Sequence, residues 1–170
     1  WSVAGLELRH AGGDTSGLRS LLRIPGGGPG SPIAERSRGY YLHDLTRAYL
    51  ASARGDTTEA ARLLGAISDS LCPDCYLHRL HLARLLRRNG RVEEARVVLA
   101  REMRKFFGGP ISQVFWELER ARLAEREGRT VEATRSYRFV REVWNRADPE
   151  LGPFRAEADS ALARLSRLRP

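Results

Sequence analysis

Four side chains able to bind soft metals stand at three-residue intervals in one stretch, Cys72-x-x-Cys75-x-x-His78-x-x-His81. Thiolates and imidazoles are what tetrahedral zinc selects, at ~2.0–2.3 Å, and two cysteines at this spacing also form redox pairs. If a helix starts near Asp74, Cys75 and His78 share a face, whereas His81 lies ~9 Å further along the axis than Cys75 and is rotated by ~240°. Three ligands at most can meet. Three readings follow: a small buried cysteine pair at a helix start with partly exposed histidines after it, a Cys72–Cys75 disulfide or redox pair, and a metal site on Cys72, Cys75 and His78. The first is the expectation. Haem attachment would need a histidine directly after Cys75, where Tyr76 stands.

Other chemistry finds less to work with. His10, His43, His78 and His81 are the histidines of the chain, and none sits in a Gly-x-Ser-x-Gly or His-Glu-x-x-His setting. The Gly/Pro stretch Ile24 to Pro32 has no lysine to make a phosphate loop. Glu117, Glu119, Glu125 and Glu127 interleave with Arg120, Arg122 and Arg126, a pattern read as a solvated face of helical ion pairs rather than as paired acid and base. An enzyme is therefore not expected, and no cofactor is implied.

What positions these residues is a chain of 170 residues with 42% hydrophobic and 29% charged content, which is long enough to bury roughly 70% of its unfolded surface without metal or disulfide. No apolar run approaches the ~20 residues of a membrane span. Basic residues number 29 against 21 acidic, for a net charge of +8. That surplus points toward nucleic acid, anionic lipid or an acidic protein surface. Lys105 is the only lysine, so the charge is nearly all arginine, a bias that a GC-rich genome produces as readily as function does. The start at Trp1, with no basic and apolar leader after it, reads as a piece of a longer polypeptide.

Internal repetition is the strongest organising signal. An apolar-periodic run ends in glycine plus a polar residue, and a second run with an early alanine follows. Gly55-Asp56 leads to Ala60, Gly90-Arg91 to Ala95, and Gly128-Arg129 to Ala133, so both landmarks recur after 35 and then 38 residues. Glycine supplies the left-handed residue that ends one helix, and alanine lets its partner approach closely. A fainter copy surrounds Gly12-Gly13-Asp14. The 3.6-residue period predicts helices with Tyr76, Leu77, Leu80, Leu82, Ala83, Leu85 and Leu86 on one apolar face, and Val92, Ala95, Val98, Leu99 and Met103 on the next. Asp56 with Glu59, and Thr130, are the predicted caps. The expected division is a partial helical repeat over 1–24, a Gly/Pro-rich linker or loop over 25–39, three helix pairs over 40–148 and a closing helix over 149–170.

These residues resemble tetratricopeptide repeats, from Tyr41 to about Asp148. The small helix-A residues Ala48, Ala83 and Ala121, the glycines Gly55, Gly90 and Gly128, the alanines Ala60, Ala95 and Ala133, and the large Leu64, Leu99 and Tyr137 four places later carry the resemblance. Leu71 to Cys75 before one repeat, and Trp144 to Leu151 before the closing helix, are similar to the C-terminal repeat regions of some bacterial signalling proteins, where such repeats follow a Ser/Thr kinase or DNA-binding domain. The resemblance implies an all-α solenoid with a C-terminal closing helix, acting as a protein-binding or scaffolding part of a larger bacterial protein. It leaves open the cytoplasmic or the extracytoplasmic side of a membrane.

In such solenoids the first helices of each pair line a concave groove. The expected groove residues are Arg84, Arg87, Arg88, Arg122 and Arg126, whose planar guanidiniums suit carboxylates or phosphates, with Leu77, Leu80, Phe115 and Leu118 as apolar neighbours. The expected partner is an acidic peptide or helix. Self-association, nucleic acid binding through the arginines, and metal or redox sensing through Cys72, Cys75 and His78 are the alternatives.

Overall fold

The computed structural model describes residues 13–23, 33–67, 75–101, 110–146 and 148–167. Among them the chain is all-α: α1 (Thr15–Leu21), α2 (Ile33–Ala53), α3 (Thr57–Ala66), α4 (Cys75–Arg88), α5 (Val92–Ala100), α6 (Pro110–Arg126), α7 (Thr130–Val143), a 3-10 turn Pro149–Leu151 and α8 (Gly152–Arg167). No helix among the described residues is long and apolar enough to cross a membrane. The chain divides into two compact units, Trp1–Asn89 and Gly90–Pro170.

The repeated glycines do what their spacing predicts. Gly55, Gly90 and Gly128 have φ of 81°, 78° and 70°, and Gly13 joins them at 68°. The residue after each opens a helix from one shared conformation: Asp14, Asp56, Arg91 and Arg129 have φ between −81° and −74° and ψ between 61° and 75°. At two of the turns the full backbone pattern is the same, with Asp56 N–H donating to the Ala51 carbonyl at 3.0 Å and Arg129 N–H to that of Ala124 at 2.8 Å. Such bonds satisfy carbonyls left over at a helix end. Asp14 and Asp56 add side-chain caps, accepting from Gly17 N–H at 2.7 Å and Glu59 N–H at 3.0 Å.

Arginine at the same place cannot accept a hydrogen bond. Arg91 instead holds Glu94 of the first turn of α5 at 2.6 Å, and Arg129 holds Glu132 of α7. Thr130, the predicted cap of α7, is instead its first helical residue; the cap position belongs to Arg129. Likewise α2 begins at Ile33, inside the stretch expected to be a linker.

The left-handed glycines make a clean pair of predictions. A Cβ on Gly128 would meet nothing within 4 Å, so Gly128→Ala carries only the conformational penalty and should lower stability by about 1 kcal/mol. Gly65, inside α3 with equally open surroundings and no positive φ, should gain about 0.5–1 kcal/mol on the same change. Urea unfolding of the two variants measures both, and equal signs would contradict the turn assignment.

In each unit the extensive packing is between helices adjacent in the chain: α1 on α2, α2 on α3 and α3 on α4 in the first, α5 on α6, α6 on α7 and α7 on α8 in the second. The residues at matching repeat positions are buried alike, with Ala48, Ala60, Ala121 and Ala133 inside as small residues and Leu64, Leu99 and Tyr137 as large ones. The second unit closes around Val114, Leu118, Ala121, Tyr137, Val140, Trp144, Ala158 and Leu165.

Candidate functional site

The Cys/His stretch opens α4, which starts at Cys75. Both histidines are buried, not partly exposed as the sequence predicts. His78 meets the ring of Tyr41 edge-on at 6.0 Å, and His81 meets Tyr49 at 5.1 Å while its Nε2 lies 3.1 Å from Ser52 Oγ. All three partners belong to α2, so these rings are interior packing between α2 and α4. Among the described residues no three His, Cys, Asp or Glu side chains gather to hold a metal. Cys72 and the side chains of Cys75 and Leu77 lie outside the described residues. His81→Ala, which removes a ring contact and a hydrogen bond at a buried position, should cost about 2 kcal/mol. Thermal unfolding checks this, and an unchanged midpoint would return His81 to the surface.

The acidic residues of α6 also depart from expectation. Glu119 is completely buried and accepts from Arg122 Nη1 at 3.0 Å. Arg122 reaches across to Glu157 of α8 with a two-pronged contact of 2.7 and 2.5 Å. Burial alone would lower the Arg122 pKa, but the carboxylates of Glu157 and Glu119 hold it above its usual value. Glu125 accepts from the Tyr137 hydroxyl of α7 at 2.8 Å and from Arg164 of α8 at 2.9 Å, and Glu117 accepts from Ser136 of α7 at 2.9 Å. Trp116 Nε1 and Arg120 donate to the Leu99 carbonyl at 3.1 and 2.9 Å, satisfying a group left over in the last turn of α5. The expected helical pairs form, Glu117 with Arg120 at 3.1 Å and Glu119 with Arg122, but Glu117 and Glu125 also bind α7 and α8, so the face is a partly covered polar network joining α5, α6, α7 and α8.

Tyr137 gives the network a pH signature. Burial first, then the bond to Glu125, raises its pKa above the usual 10.0. A group whose folded pKa is raised contributes stability that is complete below its unfolded pKa and is lost as pH rises beyond it. The melting temperature should therefore fall on the alkaline side of pH 10, and Tyr137→Phe should flatten that fall at the cost of about 1 kcal/mol at neutral pH. A slope unchanged by the substitution would place the titration elsewhere.

The expected groove residues fall in both units and meet different fates. In the first, Leu80 is buried, Arg84 and Arg87 are half-buried and Arg88 is exposed. In the second, Leu118 is fully buried in the core and Phe115 packs edge-on against Trp144 and Phe154 at 5.1 and 5.2 Å. Leu80, Leu118 and Arg122 are thus corrected: the two leucines fill interior space, and Arg122 serves Glu119 and Glu157. Arg126 remains exposed.

A surface the sequence reading missed lies along α7. Thr134, Arg138 and Arg141 face Asp159, Leu162, Ala163 and Ser166 of α8 across a cleft of about 390 Å³. Arg138 and Arg141 are exposed, and neither has an ion pair or hydrogen bond among the described residues. Asp159 on the opposite wall sits 3.9 Å from Arg155. Val131, Arg135, Arg138 and Arg141 are spaced by four, three and three residues, which places them in one stripe on the helix. Val131 is 79% exposed at the head of it.

No family model, curated protein or solved structure matches the chain. The buried acids and imidazoles are occupied by internal partners, whereas Arg138 and Arg141 of α7 point outward with no partner among the described residues.

Proposed function

We propose that this chain is a protein-binding module of the tetratricopeptide type, the interaction part of a bacterial signalling or regulatory protein. One observation carries the reading. The same left-handed glycine, followed by a residue in the same conformation that opens the next helix, occurs four times, at Gly13, Gly55, Gly90 and Gly128, as a repeat built by stacking helix pairs requires. Packing between chain neighbours supports the same reading.

Repeats of this kind bind by shape, offering helix faces and clefts to an extended segment or a partner helix. A role in recognition rather than catalysis is supported by the fate of Glu117, Glu125, Tyr137 and His81, whose polar atoms are held by neighbouring helices, and of Glu119, buried and held by Arg122 of its own helix. Nucleic acid binding is the second reading, and the outward arginines of α7 are the observation that favours it.

The test is affinity capture from bacterial lysate, with and without nuclease, using the intact chain and the Arg84→Glu/Arg88→Glu variant. A discrete protein held equally with and without nuclease supports the module. Retention that disappears with nuclease supports the nucleic-acid reading instead. A protein held by the intact chain but not by the variant places binding on α4.

A further inference from the structure

We infer that the cleft between α7 and α8 is a docking site for an extended, acidic protein segment, in which carboxylate side chains separated by one neutral residue are taken by Arg138 and Arg141. The inference rests on the protein-binding reading and names the chemistry of the partner. Two guanidiniums with no partner among the described residues border a cleft of about 390 Å³, enough for a side chain and part of its backbone. Being three residues apart on one helix, they leave it from Cβ atoms roughly 5–6 Å apart. Alternate residues of an extended chain lie about 6.6 Å apart on one side, which matches. The Thr134 hydroxyl at the cleft wall can donate to the same carboxylate, and Leu162 gives the methylene stem an apolar surface.

The lining also says what the occupant is not. Asp159 faces the arginines, so a polymer with a charge on every unit meets repulsion that a peptide with neutral spacers avoids. Among the described residues no aromatic ring lines the cleft on which a base could stack. Arg135 continues the stripe past the cleft and would meet a third acidic side chain.

The experiment is fluorescence anisotropy with a labelled peptide of alternating glutamate and serine, compared with its glutamine–serine counterpart and an oligothymidylate. The intact chain should bind the glutamate peptide saturably and the glutamine peptide at least about tenfold more weakly. Arg138→Glu/Arg141→Glu should weaken glutamate-peptide binding about tenfold or more, while Arg19→Glu/Arg54→Glu, a change of the same net charge at two exposed arginines of the other unit, should leave it unchanged. Asp159→Asn, which removes the opposing charge, should tighten it severalfold. Circular dichroism confirms that each variant is folded, and the expected gain at Asp159 cannot arise from unfolding. Equal loss in the two double variants, tighter binding of the oligothymidylate, or no glutamate-peptide binding would each overturn the inference. A lysate protein still captured by Arg138→Glu/Arg141→Glu would leave the module standing and remove only this site.

Discussion

Arg122→Ala should lower the free energy of unfolding by about 3 kcal/mol, several times what a surface ion pair is worth. The reason is Glu119, whose side chain has 0% exposure beside an Arg122 that keeps 20%. Deleting the cation leaves a carboxylate with no access to water and removes the contact that ties α6 to Glu157 of α8. The remaining charge supplies most of the penalty, so Arg122→Ala/Glu119→Gln should recover about half of it. Urea unfolding of both variants decides the matter. A loss under about 1 kcal/mol for the single change would make the pair an ordinary solvated one.

Trp144→Ala should cost about 4 kcal/mol, in the range for deleting a buried large aromatic. Trp144 is 4% exposed at the C-terminus of α7, and its ring lies 5.1 Å from Phe115 of α6 and 5.7 Å from Phe154 of α8. One side chain therefore holds three helices, and its loss forfeits both burial and the two ring contacts. The α8 end should loosen first, since the chain reaches it through the exposed residues 145–146 and 148–150. Limited proteolysis should show faster cleavage there in the variant, and Trp144→Phe should restore most of the protection. Cleavage elsewhere would show that Trp144 does not anchor α8.

The turns were legible because each is set by a local rule. A glycine at positive φ, a following polar residue and an alanine five places after the glycine fix where one helix ends and how closely the next approaches. The cap of α7 was misread because Arg129 takes the cap conformation without a capping side chain, while Thr130 looks like a cap by residue type alone. The acids of α6 were misread for a different reason. Their three-residue spacings to arginine are those of an exposed helix, and nothing in the spacing reveals that α7 and α8 cover that face. His78 and His81 show the same blindness, since only the approach of α2 makes them interior. The stripe of Arg135, Arg138 and Arg141 is visible in the sequence, but its far wall comes from Asp159 and Leu162, on a helix whose placement the sequence does not give.

Reconstitution shows whether this chain binds another protein, as proposed above. The purified chain and a captured partner, both treated with nuclease, should sediment together as a saturable complex of fixed stoichiometry that survives moderate salt. A complex that forms only when nucleic acid is added back would contradict the claim, and so would two components that sediment apart at every concentration.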